Sequence, residues 1–101
     1  MGANKSKAID LDSADQIILE RALREILWGT SSRQPMDVKE VISQLELKLQ
    51  GSELPHAYPD YDIHKLAHYG LYSLEKRRIV THNKLKRPDQ SGGQTYYWLQ
   101  R

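Results

Sequence analysis

The stretch "LAHYGLYSLEKRRIVTHNKLKRPDQSGGQTYYWL", residues 66–99, contains the change of hydrophobic period that decides the fold. As far as Arg78, its apolar residues recur at helical spacing. Beyond Arg78, "IVTHNKL" and "QTYYWLQ" are rich in the β-branched and aromatic residues that favour strands, and the segment "KRPDQSGG" between them has residues that reverse a chain. The stretch therefore predicts a helix followed by an antiparallel hairpin.

The predicted helix covers residues 62–77, with Asp60 or Asp62 as its N-cap. Its inward face carries the small and apolar residues Ile63, Leu66, Ala67, Gly70, Leu71 and Leu74. Gly70 costs about 1 kcal/mol of helix propensity relative to alanine, which indicates that another helix approaches closely there. The opposite face carries polar and aromatic residues, namely His64, Lys65, His68, Tyr69, Tyr72 and Lys76.

A first helix is predicted in "DSADQIILERALREILWGTSS". Ser13 with Gln16 has the spacing of a capping box, and Gly29 suits a left-handed C-terminal cap. Its buried stripe is predicted to contain Ile18, Leu19, Ala22, Leu23, Ile26 and Leu27. Trp28, just beyond this stripe, is expected in the core or on a dimer surface.

A second helix is predicted in "QPMDVKEVISQLELKLQG", with Asp37 and Glu40 as a capping box. Its buried stripe contains Val38, Val41, Ile42 and Leu45, which Leu49 extends. Residues 34–36, fixed by Pro35, are predicted to form a small edge strand. The linker "SELPHAYPDY" before the third helix contains two prolines and is expected to be non-helical.

Length and composition are those of one globular domain. The chain has 101 residues, of which 39% are hydrophobic and 28% charged. Residues 1–11 are expected to be a flexible tail and residues 12–101 the domain. The chain has no cysteine for disulfides or thiolate ligands. It also lacks a signal peptide and a membrane-spanning run, so a cytoplasmic location is expected, or a nuclear one in a eukaryote, with no membrane partner.

Charge is distributed unevenly along the chain. Residues 1–60 contain seven Lys and Arg against ten Asp and Glu, whereas residues 61–101 contain eight against three. A basic C-terminal half on a nearly neutral protein is typical of a face that meets a polyanion, although a solvated basic surface has the same pattern.

The order helix, short strand, helix, helix and hairpin resembles that of winged helix-turn-helix domains. In particular, "GLYSLEKRRIV" is similar to the end of this family's third helix, where a Leu-Glu pair precedes a basic or glycine turn and two apolar strand residues. The resemblance implies an α+β fold with three helices and a C-terminal β-hairpin wing. The linker of about ten residues is longer than the family's usual turn, which indicates an elaborated variant or an extra helical turn.

The resemblance also implies a function, namely binding of double-stranded DNA by a small transcriptional regulator or accessory factor. Helix 62–77 would enter the major groove, and the basic wing 84–93 would lie on the phosphate backbone. The residues expected to contact DNA are His64, Lys65, His68, Tyr69, Tyr72, Lys76, Lys84, Lys86 and Arg87. A homodimer is expected, with the first helix around Ile17 and Trp28 as its interface.

The alternative function is a protein-interaction module, because the chain has six tyrosines and such residues are common at interfaces. Tyr69 and Tyr72 could equally pack on the linker. On the last strand, alternation places Tyr97 with Leu99 on one face and Tyr96 with Trp98 on the other, and one pair is expected in the core.

Sequence motifs give no indication of an enzyme or a cofactor. His64 and His68 lie four residues apart and could form half of a metal site, but solvent-facing or DNA-facing imidazoles are the simpler interpretation. Asp60 and Asp62 are better explained as helix caps than as an acid–base pair. No catalytic residue and no metal site are therefore predicted.

Overall fold

A computed structural model describes residues 11–52, 54, 58, 61–85 and 94–100. The described residues form an α+β fold in which three helices pack beside a three-stranded antiparallel sheet. The helices are α1 (Ser13–Ile26), α2 (Val38–Leu49) and α3 (Ile63–Lys76). The strands are β1 (Met36–Asp37), β2 (Val80–Leu85) and β3 (Gln94–Leu99). None of the helices in this part of the chain has the length and apolar character that a membrane span requires.

Helix α1 begins one residue earlier than a Ser13 cap would allow. Asp12 occupies the N-cap position and Ser13 is the first helical residue, so the prediction of Ser13 as the cap was wrong. Gln16, the other half of the predicted capping box, uses its side chain in contacts with α3. At the other end the prediction is confirmed, because Gly29 has a φ of 91°.

Helix α2 begins as predicted at Asp37, whose Oδ1 accepts a hydrogen bond of 2.7 Å from the backbone N–H of Lys39. Only this half of the predicted capping box is observed, since Glu40 instead accepts a bond of 2.8 Å from Gln44 Nε2. Leu49 is buried at the end of the helix, as the extended stripe predicted.

Helix α3 is capped by Asp62, the second of the two predicted candidates. Its Oδ1 accepts a hydrogen bond of 2.9 Å from the Lys65 N–H. Beyond the C-cap Arg77, the chain leaves the helix at Arg78, which has a φ of 63°. The Arg78 N–H donates to the Glu75 carbonyl and the Ile79 N–H to the Leu74 carbonyl. These bonds form a Schellman motif with arginine at the usual glycine position.

Four residues of the linker between α2 and α3 are described, namely Ser52, Leu54, Tyr58 and Tyr61. Leu54 has helical backbone and is buried in the core, so the prediction of a non-helical linker was wrong at that position. Tyr58 ties the linker to the start of α1, because its hydroxyl accepts from the Asp12 N–H at 3.0 Å and donates to Asp15 Oδ2 at 2.8 Å. Asp60 lies outside the described residues.

In the sheet, β3 is the central strand and the order is β1-β3-β2. Met36 pairs with Tyr97 in one ladder, and His82 pairs with Tyr97 in the other. The predicted edge strand therefore exists, displaced to residues 36–37. Leu99 is also held from outside the sheet, because its N–H donates to Thr30 Oγ1 at 3.0 Å.

The core is built from the inward faces of all three helices and one face of the sheet. Its buried residues include Leu19, Leu23, Leu45, Leu66, Leu71, Leu74, Val80 and Tyr97. Leu11, at the end of the predicted tail, is also buried; residues 1–10 lie outside the described part of the chain. One prediction of burial on α1 was wrong, since Ile18 is exposed. Trp28, just beyond α1, is 81% exposed, which excludes the core and leaves the dimer surface as a prediction.

Candidate nucleic-acid interface

Helix α3 is held against α1 by close contact at Gly70. A Cβ atom built on Gly70 would lie 2.4 Å from Leu23 Cδ1 and 3.0 Å from Leu19 Cγ. Since both leucines are fully buried, no side chain fits at position 70 without a shift. The predicted close approach of helices is confirmed, and it leaves the opposite face of α3 exposed.

The exposed face of α3 carries a stripe of cationic and aromatic side chains. Its members are spaced three or four residues apart and so lie on one side of the helix: Lys65, His68, Tyr72 and Lys76. His64 is exposed beside them. Tyr72 is 63% exposed, and Lys76 Nζ lies 5.4 Å from the centre of its ring. This distance is within the range of a cation–π contact, which orders the two side chains at the surface.

Tyr69, the remaining predicted DNA contact on α3, borders this stripe but is bonded to α1. It is half-buried and packs against the core, and its hydroxyl donates to Gln16 Oε1 at 3.2 Å. The helical period does not explain the difference, because position 69 is four residues after Lys65 and three before Tyr72; the contact with Gln16 on α1 does. Tyr69 therefore links α3 to α1.

A polar network between α1 and α3 was missed from the sequence. Its centre is Glu20, which is only 7% exposed. The Glu20 carboxylate accepts hydrogen bonds from Gln16 Nε2 at 2.9 Å, from Ser73 Oγ at 2.5 Å and from Arg77 Nη2. A buried carboxylate requires such partners. The sequence did contain one indication of this network. Glu20 lies four residues after Gln16 and seven before Leu27, which places it at the edge of the buried stripe of α1.

Arg77, at the C-terminal end of α3, takes part in this network. Its guanidinium pairs with Glu20 on α1, while much of its side chain remains exposed. The network fixes the rotation of α3 about its own axis, because Tyr69, Ser73 and Arg77 are all bonded to α1. Fixing this rotation also fixes the direction in which the exposed stripe points.

The start of the β2–β3 hairpin adjoins the C-terminal end of this stripe. His82 Nδ1 lies 2.6 Å from Glu75 Oε2, which connects β2 to the last turn of α3. Lys84 is two residues further along the strand, so its side chain emerges on the same face of the sheet as that of His82. Lys84 is exposed. The predicted contacts Lys86 and Arg87 lie outside the described residues.

Charge on this surface is predominantly positive. Between residues 63 and 85 the chain has five Lys and Arg and one acidic residue, Glu75. Glu75 is directed to His82, and it also acts on Tyr97, whose pKa is raised first by burial and then by this carboxylate. The exposed stripe itself therefore contains cations without an interposed carboxylate.

The tyrosines expected to form a protein-interaction surface are mostly inside the molecule. Tyr96 and Tyr97 are both buried. Tyr97 belongs to the core, with Leu99 packed against it, so the predicted pair Tyr97 and Leu99 is the one that faces the core. Three more tyrosines are half-buried, namely Tyr58, Tyr61 and Tyr69. Of the six, Tyr72 alone is mainly exposed, and all six belong to the described part of the chain.

Metal binding at His64 and His68 has no third ligand among the described residues, where no group of three or more His, Cys, Asp or Glu side chains lies close enough to hold an ion. The next histidine along the chain, His82, is paired with Glu75. Comparisons with protein-family models, with curated proteins and with solved structures found no match to this chain.

Proposed function

We propose that the protein binds double-stranded DNA through the exposed stripe of α3 and the adjoining basic hairpin, as a winged helix-turn-helix domain does. The observation that carries this proposal is the stripe itself, where Lys65, His68, Tyr72 and Lys76 share one solvent-exposed face. The order of helices and strands is compatible with the winged-helix resemblance.

The chemistry of the stripe suits a DNA groove. An α-helix fits in the major groove, where lysines near the edges of the helix reach phosphates and the imidazole and phenol groups can bond to base edges. Lys84 extends the positive surface onto the hairpin, and in the proposal the residues that follow it lie along the phosphate backbone. Tyr69 is not a contact in this proposal, because its hydroxyl is used by Gln16. The biological role proposed is that of a small transcriptional regulator or accessory factor.

The test is fluorescence anisotropy with a labelled random-sequence duplex, comparing the wild type with a Lys65→Ala/Lys76→Ala variant. We expect the double variant to bind about tenfold more weakly at moderate salt, because two phosphate contacts are lost. The matched control is Arg33→Ala/Lys39→Ala, which removes the same charge from exposed positions outside α3 and the hairpin. It should bind within about threefold of the wild type.

Equal weakening by the two double variants would show that net charge alone matters and would remove α3 from the proposal. Absence of binding by the wild type even at low salt would favour the second candidate, a protein-interaction module. The observation that favours this candidate is Trp28, which is 81% exposed just beyond the end of α1. Such an exposed tryptophan is typical of interfaces.

A further inference from the structure

A groove of about 830 Å³ lies between α1 and the end of the sheet. One wall is a face of α1 whose exposed residues recur at helical spacing, namely Ile17, Arg21, Arg24 and Trp28. Ile79 and Leu99, both half-buried, form the opposite wall. The groove therefore combines apolar and cationic side chains along one side of α1.

Large apolar side chains stand at both ends of the α1 wall. Ile17 is 58% exposed at one end, and Trp28 is 81% exposed at the other. The eleven positions between them correspond to about 16 Å along a helix. Apolar side chains exposed in this way beside charged ones are typical of a surface that a protein partner covers.

The two arginines between these ends have no partner within the described part of the chain, where Arg21 and Arg24 make neither an ion pair nor a hydrogen bond. The carboxylates that also line the groove are already engaged. Glu20 is bonded within the network to α3, and Glu25 accepts a hydrogen bond of 3.0 Å from Lys48 Nζ on α2. The groove therefore presents two unpaired cations between two apolar ends.

We propose that this groove binds an acidic peptide segment of another protein. The carboxylates of the segment pair with Arg21 and Arg24, whose guanidinium groups can each form two parallel hydrogen bonds to a carboxylate. Its large apolar residues pack between Trp28 and Leu99, where they remove exposed apolar surface from water. Charge complementarity together with apolar burial assigns this occupant.

Two other occupants fit the groove less well. Residues 1–10 of the chain contain two lysines and one aspartate, so this segment would bring further positive charge to the arginines. A DNA backbone would pair with the arginines but would leave the apolar surface of Ile17 and Trp28 uncovered. An acidic peptide with large apolar residues satisfies both parts of the groove.

The proposal rests on the second candidate function, to which it adds the chemistry of the partner, and it is independent of DNA binding. The four residues of the stripe on α3 are all described, and none of them lines the groove. A protein that binds DNA through α3 therefore keeps this groove free for a peptide.

The occupant is tested by selecting a phage-displayed library of random peptides, about twelve residues long, against the intact wild-type protein in the absence of DNA. We expect the enriched peptides to have a net negative charge and at least two large apolar residues, because both features are needed to satisfy the groove. A selection without enrichment, or enrichment of peptides that lack a net negative charge, would overturn the proposal.

The site is tested by fluorescence anisotropy with the most enriched peptide. Arg24→Glu should weaken binding about tenfold or more, because it places a carboxylate against those of the peptide, and Trp28→Ala should weaken it about fivefold or more. Arg33→Glu is the matched control, since it makes the same charge change at an exposed position outside the groove and should bind within about threefold of the wild type.

All three variants change exposed side chains, so they should keep the far-UV circular dichroism of the wild type. Equal weakening by Arg24→Glu and Arg33→Glu would show that net charge alone matters and would overturn the proposal. Undiminished binding by Trp28→Ala would overturn it as well.

Competition distinguishes the peptide from DNA as the occupant. A saturating random-sequence duplex should change the peptide dissociation constant by less than about threefold, and Lys65→Ala/Lys76→Ala should bind the peptide as the wild type does. Displacement of the peptide by the duplex, or loss of peptide binding in this double variant, would overturn the proposal. Peptide binding by a wild type that fails to bind DNA would support it while removing the DNA-binding proposal.

Sedimentation velocity without peptide tests a second copy of the chain as the occupant. We expect the addition of the peptide to leave the state of association of the protein unchanged. A dimer that the peptide dissociates would assign the groove to a second copy and overturn the proposal.

Discussion

Arg78 has the left-handed backbone that glycine adopts most easily, with a φ of 63°. The conformation is imposed by the Schellman motif at the end of α3, which turns the chain directly into β2. For a residue with a Cβ atom this region costs about 1 kcal/mol or more. The hydrogen bonds of the Schellman motif hold Arg78 in this strained conformation. A residue that adopts the left-handed region without strain should therefore stabilise the protein.

Arg78→Gly is expected to stabilise the fold. Relief of left-handed strain outweighs the greater freedom of glycine in the unfolded chain, which leaves a net increase of about 0.5–1 kcal/mol in the free energy of unfolding. The measurement is urea denaturation monitored by circular dichroism. Arg78→Ala is the control, because it removes the same side chain but keeps the Cβ atom; a gain as large as that of the glycine variant would show that strain is not the cause.

Single-residue predictions from the sequence succeeded where local chemistry decides the outcome. Asp37 and Asp62 are caps because a carboxylate placed before a helix can accept the free N–H groups of its first turn. The prediction for Ser13 was wrong because the helix begins one position earlier, at Asp12, whose carbonyl accepts from the Gln16 N–H while its side chain makes no capping bond. For Trp28 the sequence left the core and a dimer surface open, because exposure of a large apolar residue depends on which neighbours cover it; its 81% exposure excludes the core.

At the scale of secondary structure, the pair α1 and α3 carries the candidate interface. The two helices touch at Gly70 and are bonded through the Glu20 network. The first contact sets their separation, and the second sets the rotation of α3. Together they decide that Lys65 and Lys76 point to solvent while Tyr69 points to α1.

Gly70→Ala should destabilise the protein by about 1–3 kcal/mol. The added Cβ would overlap Leu23 Cδ1 in a fully buried contact, and this overpacking exceeds the gain of up to about 1 kcal/mol in helix propensity. Thermal unfolding measures the effect. Gly51→Ala is the matched control, since a Cβ there has no atom within 4 Å and stability should change by less than about 0.5 kcal/mol. A Gly70→Ala variant at least as stable as the wild type would contradict the close-packing account.

The helices and strands were largely predictable from hydrophobic period and helix caps, because those signals are local. The sequence was less informative about the linker, where Leu54 is helical and buried although prolines and tyrosines surround it. The Glu20 network could not be derived either, since it joins residues up to 57 positions apart. Exposure on α3 was mostly predictable from its period, with Tyr69 as the exception at the boundary of two faces.

At the scale of the whole molecule, a formal net charge of +2 conceals a separation of charge along the chain. The acidic surplus lies in residues 1–60, whereas α3 and the start of the hairpin carry the positive surplus. An asymmetry of this kind orients the molecule as it approaches a polyanion, and its effect depends on ionic strength.

The affinity of the intact protein for random duplex DNA should fall steeply with salt. If Lys65, Lys76 and Lys84 each neutralise one phosphate, the slope of log K against log salt is about −2.7 or steeper. Raising salt fourfold would then weaken binding about 40-fold. Anisotropy titrations at several salt concentrations give the slope directly, with potassium glutamate in place of chloride as a check on anion effects. A slope near zero would mean that phosphates are not the partners of these lysines.

The central position of β3 also constrains the order in which the molecule can assemble. Met36 pairs with Tyr97 across about sixty residues, and β2 pairs with the same strand. A nascent chain therefore releases all three helices and both outer strands from the ribosome before their shared partner exists. Until β3 emerges, β1 and β2 have unpaired edges. This topology therefore exposes neighbouring nascent chains on a polysome to premature pairing of those edges.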